Sequence, residues 1–160
     1  MGHAGGDSLS TLRVPGPRLT AFLTGERVKD FRKLAAWNKA HSAVLEIYGA
    51  TKVFPAAERY GITSQLRRSS ASVAANLAEG CARGSDLSFA SFVQIAYSSA
   101  SETQYHLLLA NDLGMLDSAV YDDLSDRVSE IKRMLLALLR TLQKGAAQRH
   151  HEQSQLAASC

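Results

Sequence analysis

The chain has 160 residues, 46% of them hydrophobic, which suits one cored domain with tails and argues against wholesale disorder. A net charge of +3 is too mild to demand nucleic acid, and two cysteines are too few for a disulfide framework, so a reducing cytoplasm is the expected setting. No apolar run approaches the ~18–20 residues that span a bilayer, and neither a secretory signal nor a convincing myristoylation sequence opens the chain. Residues 1–28 mix Gly, Pro, Ser and Thr without periodicity and read as a flexible arm.

Four helix-period segments follow, over residues 29–144. The first should run from about Phe31 to Val53, with Leu34, Trp37, Ala40, His41, Val44, Ile47, Tyr48 and Thr51 on one apolar stripe. It should stop at Phe54, because Pro55 disfavours helical geometry before it. The second starts near Thr63, whose hydroxyl is placed to cap free backbone N–H groups, and carries Leu66, Ser69, Val73, Leu77 and Gly80 inward. Ser85 or Asp86 caps the third, with Phe89, Phe92, Val93, Ala96, Ala100, Thr103 and Leu107 on its stripe and Gly114 in the turn beyond. Asp117 opens the fourth, where Val120, Leu124, Val128, Ile131, Leu135, Leu138 and Leu142 recur nearly in heptads. Residues 145–160 are small, polar and aperiodic and read as a disordered tail. Short links force antiparallel neighbours, so the fold class is all-α, an up-down-up-down four-helix bundle.

Signatures of catalysis are missing: there is no Walker loop, HExxH, paired CxxC or GxSxG. Glu102 and His106, four apart on one face, are the best metal-like hint, but di-iron bundles need Glu-x-x-His twice, so neither metal nor cofactor is expected. His41 reads as a hydrogen-bonded flank residue. Cys81, beside Arg83 at a helix end, reads as an ordinary small thiol rather than one with a lowered pKa.

Charge becomes informative when it is divided. Residues 29–83 hold nine Lys and Arg against four Asp and Glu, whereas residues 84–142 hold four against eight. Such a split suits a polyanion-binding face, attraction between copies, or salt bridges between neighbouring helices. In TSQLRRSSASVAANLAEGCARG, one reading puts Arg59, Arg67, Arg68, Lys39, Lys52 and Arg83 on a phosphate-facing patch. The other makes Asn76, Glu79 and Glu102 an internal polar network bridged by Arg67 or Arg68, in which case losing both arginines costs several degrees of thermal stability.

The runs FRKLAAWNKA, FPAAERYGITSQLRRSSASVAANLAEGCARGS and FVQIAYSSASETQYHLLLANDLGML resemble the proteins encoded by 23S rRNA intervening sequences, a family that includes retroelement accessory variability proteins. The resemblance spans about Phe31 to Leu142 and departs at Ser98, where many relatives have glycine. It implies an antiparallel four-helix bundle assembled as a ring-shaped homopentamer without established enzymatic activity. In the retroelement branch it implies a pentamer that binds nucleic acid and a reverse transcriptase, and members encoded within ribosomal RNA genes are labelled ribosomal-protein-like. The basic positions matched are Arg67, Arg68 and Arg83. The expectation is therefore a non-enzymatic oligomer that binds RNA, DNA or a nucleic-acid enzyme such as a reverse transcriptase through its basic half. The alternative is an assembly protein that docks another protein through small and apolar residues such as Tyr97 and Tyr105.

Overall fold

The computed structural model describes residues 30–158; the arm expected over 1–28 lies outside the described residues, as does Cys160. Four helices carry the fold: α1 (Ala35–Ala50), α2 (Ile62–Ala82), α3 (Asp86–Asp112) and α4 (Ser118–Ala158). Each packs on two neighbours, α1 on α2 and α4, α3 on α2 and α4, so they close a four-cornered antiparallel bundle. No strand occurs among the described residues.

α1 is shorter than its periodicity predicts because both ends tighten into 3-10 turns, Phe31–Lys33 and Thr51–Val53. Asp30 Oδ1 accepts from the Arg32 N–H at 3.1 Å and starts the first turn. Phe54, forced toward extended geometry by Pro55, ends the second with ψ of 148°. The buried face of α1 is also rotated from the expected stripe: Ala36, Ala40, Ala43 and Ile47 point inward, and His41 and Tyr48 are exposed. Alanines let α1 sit close to its neighbours, while half-buried Trp37 covers the flank against Phe31 and His41. His41 is therefore an exposed ring stacked on Trp37 at 4.9 Å rather than a hydrogen-bonded flank residue.

Thr63 does not cap α2. The helix starts one residue earlier, where Glu58 folds back and its Oε2 accepts from the Ile62 N–H at 3.3 Å. Thr63 is thereby turned inward, and its Oγ1 is buried without a hydrogen-bond partner among the described residues. Ser85 caps α3, accepting from the Ser88 N–H at 3.1 Å. α3 closes when the Met115 N–H donates to the Ala110 carbonyl at 2.9 Å across Gly114, whose φ of 68° suits glycine. Asp117 accepts from the Ala119 N–H at 2.9 Å at the start of α4.

The core is a column of Ile47, Leu66, Leu77, Val93, Leu107 and Leu135, all fully buried. Residues on the expected stripes of α2, α3 and α4 line it, except Val120, exposed near the start of α4, and Phe92, half-buried on α3 with the Arg83 guanidinium 4.7 Å from its ring centre. Ser98, the departure from the family pattern, is exposed and donates to its own helix at the Gln94 carbonyl, 3.2 Å away.

The expected disordered tail is a correction. α4 runs on as helix through Ala158, so residues 145–158 continue the rod. Gly145 is the only poor helix former at the expected break, and the Ala, Gln, Glu and Arg that follow favour helix without needing an apolar stripe. At ~1.5 Å per residue α4 is about 60 Å long against about 40 Å for α3, so its end extends past the bundle.

Candidate nucleic-acid interface

The six cations expected on one patch separate into two groups. Lys39 Nζ lies 2.9 Å from Glu130 Oε2 and ties α1 to α4. Arg68 Nη2 lies 2.6 Å from Glu102 Oε1 and ties α2 to α3, while Arg83 pairs with Glu79 within α2 and its capping residue. Part of the charge division between the two halves of the chain is thus spent on links between helices. The Arg68–Glu102 side chains remain 64% and 39% exposed, so the pair is a surface bridge worth about 0.2–1 kcal/mol, not an internal one.

The other three cations gather where α1 passes into α2. Lys52 and Arg59 are exposed and make no ion pair among the described residues. Arg67, in the second turn of α2, is half-buried and fixed in place: its Nε donates to Thr51 Oγ1 at 2.7 Å and its guanidinium lies 4.9 Å from the centre of the Tyr48 ring. Thr51 is itself anchored, its hydroxyl 2.8 Å from the Ile47 carbonyl. This guanidinium has no carboxylate within bonding distance among the described residues, which leaves a pre-organised fork beside two free cations. Glu58, the acidic residue of the connection, forms no ion pair with them among the described residues and accepts from the Ile62 N–H at the start of α2.

Asn76, Glu79 and Glu102 do not form one network. Asn76 donates to the Ser72 carbonyl at 2.8 Å within its own helix, Glu79 holds Arg83, and Glu102 holds Arg68. The polar seam between α2 and α3 is built of hydroxyls instead: Ser72 Oγ is 3.0 Å from Ser99 Oγ, and Thr103 Oγ1 is 3.1 Å from Ser69 Oγ. Periodicity placed Ser69 and Thr103 on inward stripes but not Ser72 and Ser99, and it gave no mutual bonding, because two stripes read separately carry no register between helices.

Beside this seam stands His106, with Nδ1 3.5 Å from Ser69 Oγ and with Glu102 and Arg68 as its charged neighbours. Burial pushes its pKa below the ordinary 6.5; Glu102 opposes that shift and Arg68 adds to it. The unfolded chain therefore takes up a proton at this residue before the folded chain does. Stability should fall as pH drops through about 6.5 and level off below the folded value. Melting temperatures of wild type and His106→Gln between about pH 7.5 and 5.5 check this; the advantage of the wild type should shrink on acidification.

Among the described residues, no three His, Cys, Asp or Glu side chains converge as a metal site. The Cys81 thiol is buried, and burial first, then Asp30, pushes its pKa up, opposite to an activated thiolate. No helix among the described residues is long and apolar enough to cross a membrane. A groove of about 230 Å3 is lined by Asn38, Lys39, Ser42, Arg127, Glu130 and Ile131. Its charges already neutralise one another, since Arg127 holds Glu46 at 3.1 Å and Asp123 at 2.8 Å while Lys39 holds Glu130.

Two exposed side chains at the α1–α2 connection were not singled out from sequence: Val53 and Tyr60, 84% and 87% exposed. The signal was an aromatic residue flanked by Arg59 and Gly61 in a polar link, which a search for helical periodicity passes over.

The fold and sequence have relatives. A solved structure, of a protein of unknown function from the S23 ribosomal protein family of Bacteroides thetaiotaomicron VPI-5482, superimposes with a TM-score of 0.62. It is 23% identical over 66% of this chain and 95% of its own, a likeness of fold. None of the curated proteins matches the chain. The family described as 23S rRNA-intervening sequence protein matches residues 32–137, from the turn before α1 to well within α4. A match across most of the bundle, on the fold just described, places this chain in the 23S rRNA-intervening sequence protein family.

Proposed function

We propose that the protein is a non-enzymatic, oligomeric bundle that binds nucleic acid, or a nucleic-acid enzyme such as a reverse transcriptase, through a basic surface at the α1–α2 end. The observation that carries this reading is the sorting of the cations: Lys52, Arg59 and Arg67 have no carboxylate partner among the described residues, whereas Lys39 and Arg68 are held across helices. Unpaired cations are the ones that release counterions from a phosphate backbone without first breaking an ion pair. A homopentamer would repeat the surface around a ring and multiply weak contacts by avidity. Exposed Leu45, Ile95 and Leu108 on the helices supply apolar area for such self-association.

Lys52→Glu/Arg59→Glu should weaken RNA binding at low salt roughly tenfold or more and flatten the salt dependence by about 1.4 in log–log slope. Reversing Lys39 and Arg68 instead should change binding less, since those charges are already neutralised. Fluorescence anisotropy across a salt series measures both effects, and light scattering on the same samples reports whether assembly survives. Wild-type protein that fails to bind at low salt, or binds without regard to salt, refutes the reading. The same exposed apolar side chains favour a second reading, an assembly protein that docks another protein; a partner that survives nuclease treatment would mark that case.

A further inference from the structure

We infer that Tyr60 is a stacking platform for an unpaired base, so that the α1–α2 connection takes single-stranded nucleic acid in preference to duplex. This rests on the nucleic-acid reading above and gives that surface its substrate class. Tyr60 and Val53 are the most exposed large apolar side chains of the described residues. A single exposed side chain is ordinary, but these two share residues 52–60 with Lys52 and Arg59. Aromatic faces interleaved with cations are what single strands require: bases stack on the ring while the phosphates follow the charge.

The backbone beneath the ring is held while the ring itself is free. The Tyr60 carbonyl accepts from Ser64 Oγ at 3.2 Å, and the Gly61 N–H donates to the Glu58 carbonyl at 3.1 Å. No hydrogen bond, ring contact or cation engages the Tyr60 side chain among the described residues. Stacking a base on it therefore breaks no existing contact. Arg67, fixed between Thr51 and Tyr48, lies at the base of the same connection and supplies a third cation.

Charge also gives the surface a boundary. The antiparallel bundle brings the start of α4 to this same end, and Asp117 and Asp122, neither held in an ion pair among the described residues, make that side acidic. A strand is thus repelled from the α3–α4 side and left over α1 and α2. Duplex is the poorer ligand because its bases are already stacked. A ring on a short connection reaches an inner base only by unstacking it, which opposes binding.

The test is fluorescence anisotropy with a fluorescein-labelled, mixed-sequence RNA of about 12 nucleotides, inside the ~4–16-nucleotide range of single-strand sites, alone and annealed to its complement. Tyr60→Ala should weaken single-strand binding roughly five- to a hundredfold, and Tyr60→Phe, which keeps the ring, should bind as wild type. Duplex should bind more weakly than single strand and be indifferent to Tyr60→Ala. Melting temperature should not move, since the ring is exposed; should Tyr60→Ala fold poorly, Tyr60→Leu keeps the bulk without the aromatic face. If Tyr60→Ala binds single strand normally while Lys52→Glu/Arg59→Glu does not, the stacking role is wrong and the basic surface stands. If Tyr60→Ala instead alters the mass in light scattering and leaves RNA binding intact, Tyr60 is a subunit contact and the inference is overturned. Wild-type protein that binds neither probe removes the inference together with the reading beneath it.

Discussion

Leu77→Ala should destabilise the protein by about 3–5 kcal/mol and lower its melting temperature by about 10 °C. Leu77 sits on α2 with no exposed surface, in the column with Ile47, Leu66, Val93, Leu107 and Leu135. Truncation removes most of an apolar side chain from this column and leaves a cavity. The helices around it are too densely packed to close that space, because α1 already approaches through alanines at 36, 40 and 43. Val120→Ala, at an exposed position on α4, should change stability by under about 0.5 kcal/mol and serves as the comparison. Thermal and urea unfolding followed by circular dichroism measure both. A Leu77→Ala protein that unfolds like wild type would contradict the bundle core described here.

Gly80→Val should also be severe, by about 2–3 kcal/mol, for the opposite reason of overpacking. A Cβ on Gly80 would lie 2.5 Å from Phe89 Cδ2 and 2.9 Å from Phe92 Cβ, where the end of α2 meets the start of α3. Phe89 is buried and cannot swing into solvent, so either the helices part or a ring leaves its rotamer. Alanine at this position should cost less, because it regains up to about 1 kcal/mol of helix propensity that glycine forgoes. Pairing Gly80→Ala with Phe89→Leu should recover part of the loss, since the two changes act on one contact. Calorimetric melting of the single and double variants tests this; additive losses would mean that the clash lies elsewhere.

The division of the cations bears on how basic surfaces are read in bundles. Net charge on the first half of the chain overstates what a ligand meets, because Lys39 and Arg68 are engaged by carboxylates of the second half. The reverse traffic occurs too: Arg127 of the acidic half holds Glu46 of the basic half. Of the six cations expected on one patch, those that remain for an outside polyanion are Lys52, Arg59 and Arg67, and there exposed aromatic surface coincides with unpaired charge.

The sequence by itself determined the number of helices, the turns between them and most of their inward faces. A 3.6-residue repeat of Leu, Val, Ile and Phe has one physical outcome when its links are short, and Pro55, Ser85, Gly114 and Asp117 act on backbone geometry within a few residues of themselves. The rotation of α1 was decided otherwise. Its large residues straddle two faces, and only close packing against α2 and α4 selects alanines for the inside. The start of α2 was likewise set by Glu58 folding back, which turned Thr63 from cap to buried hydroxyl. Residues 145–158, without an apolar stripe, are helical because an established helix extends through good formers once its nucleus is paid for by the packed turns before it. Which arginines and lysines are free was a matter of register between helices more than thirty residues apart in places, as with Arg68 and Glu102, and tertiary structure alone brings such partners within bonding distance.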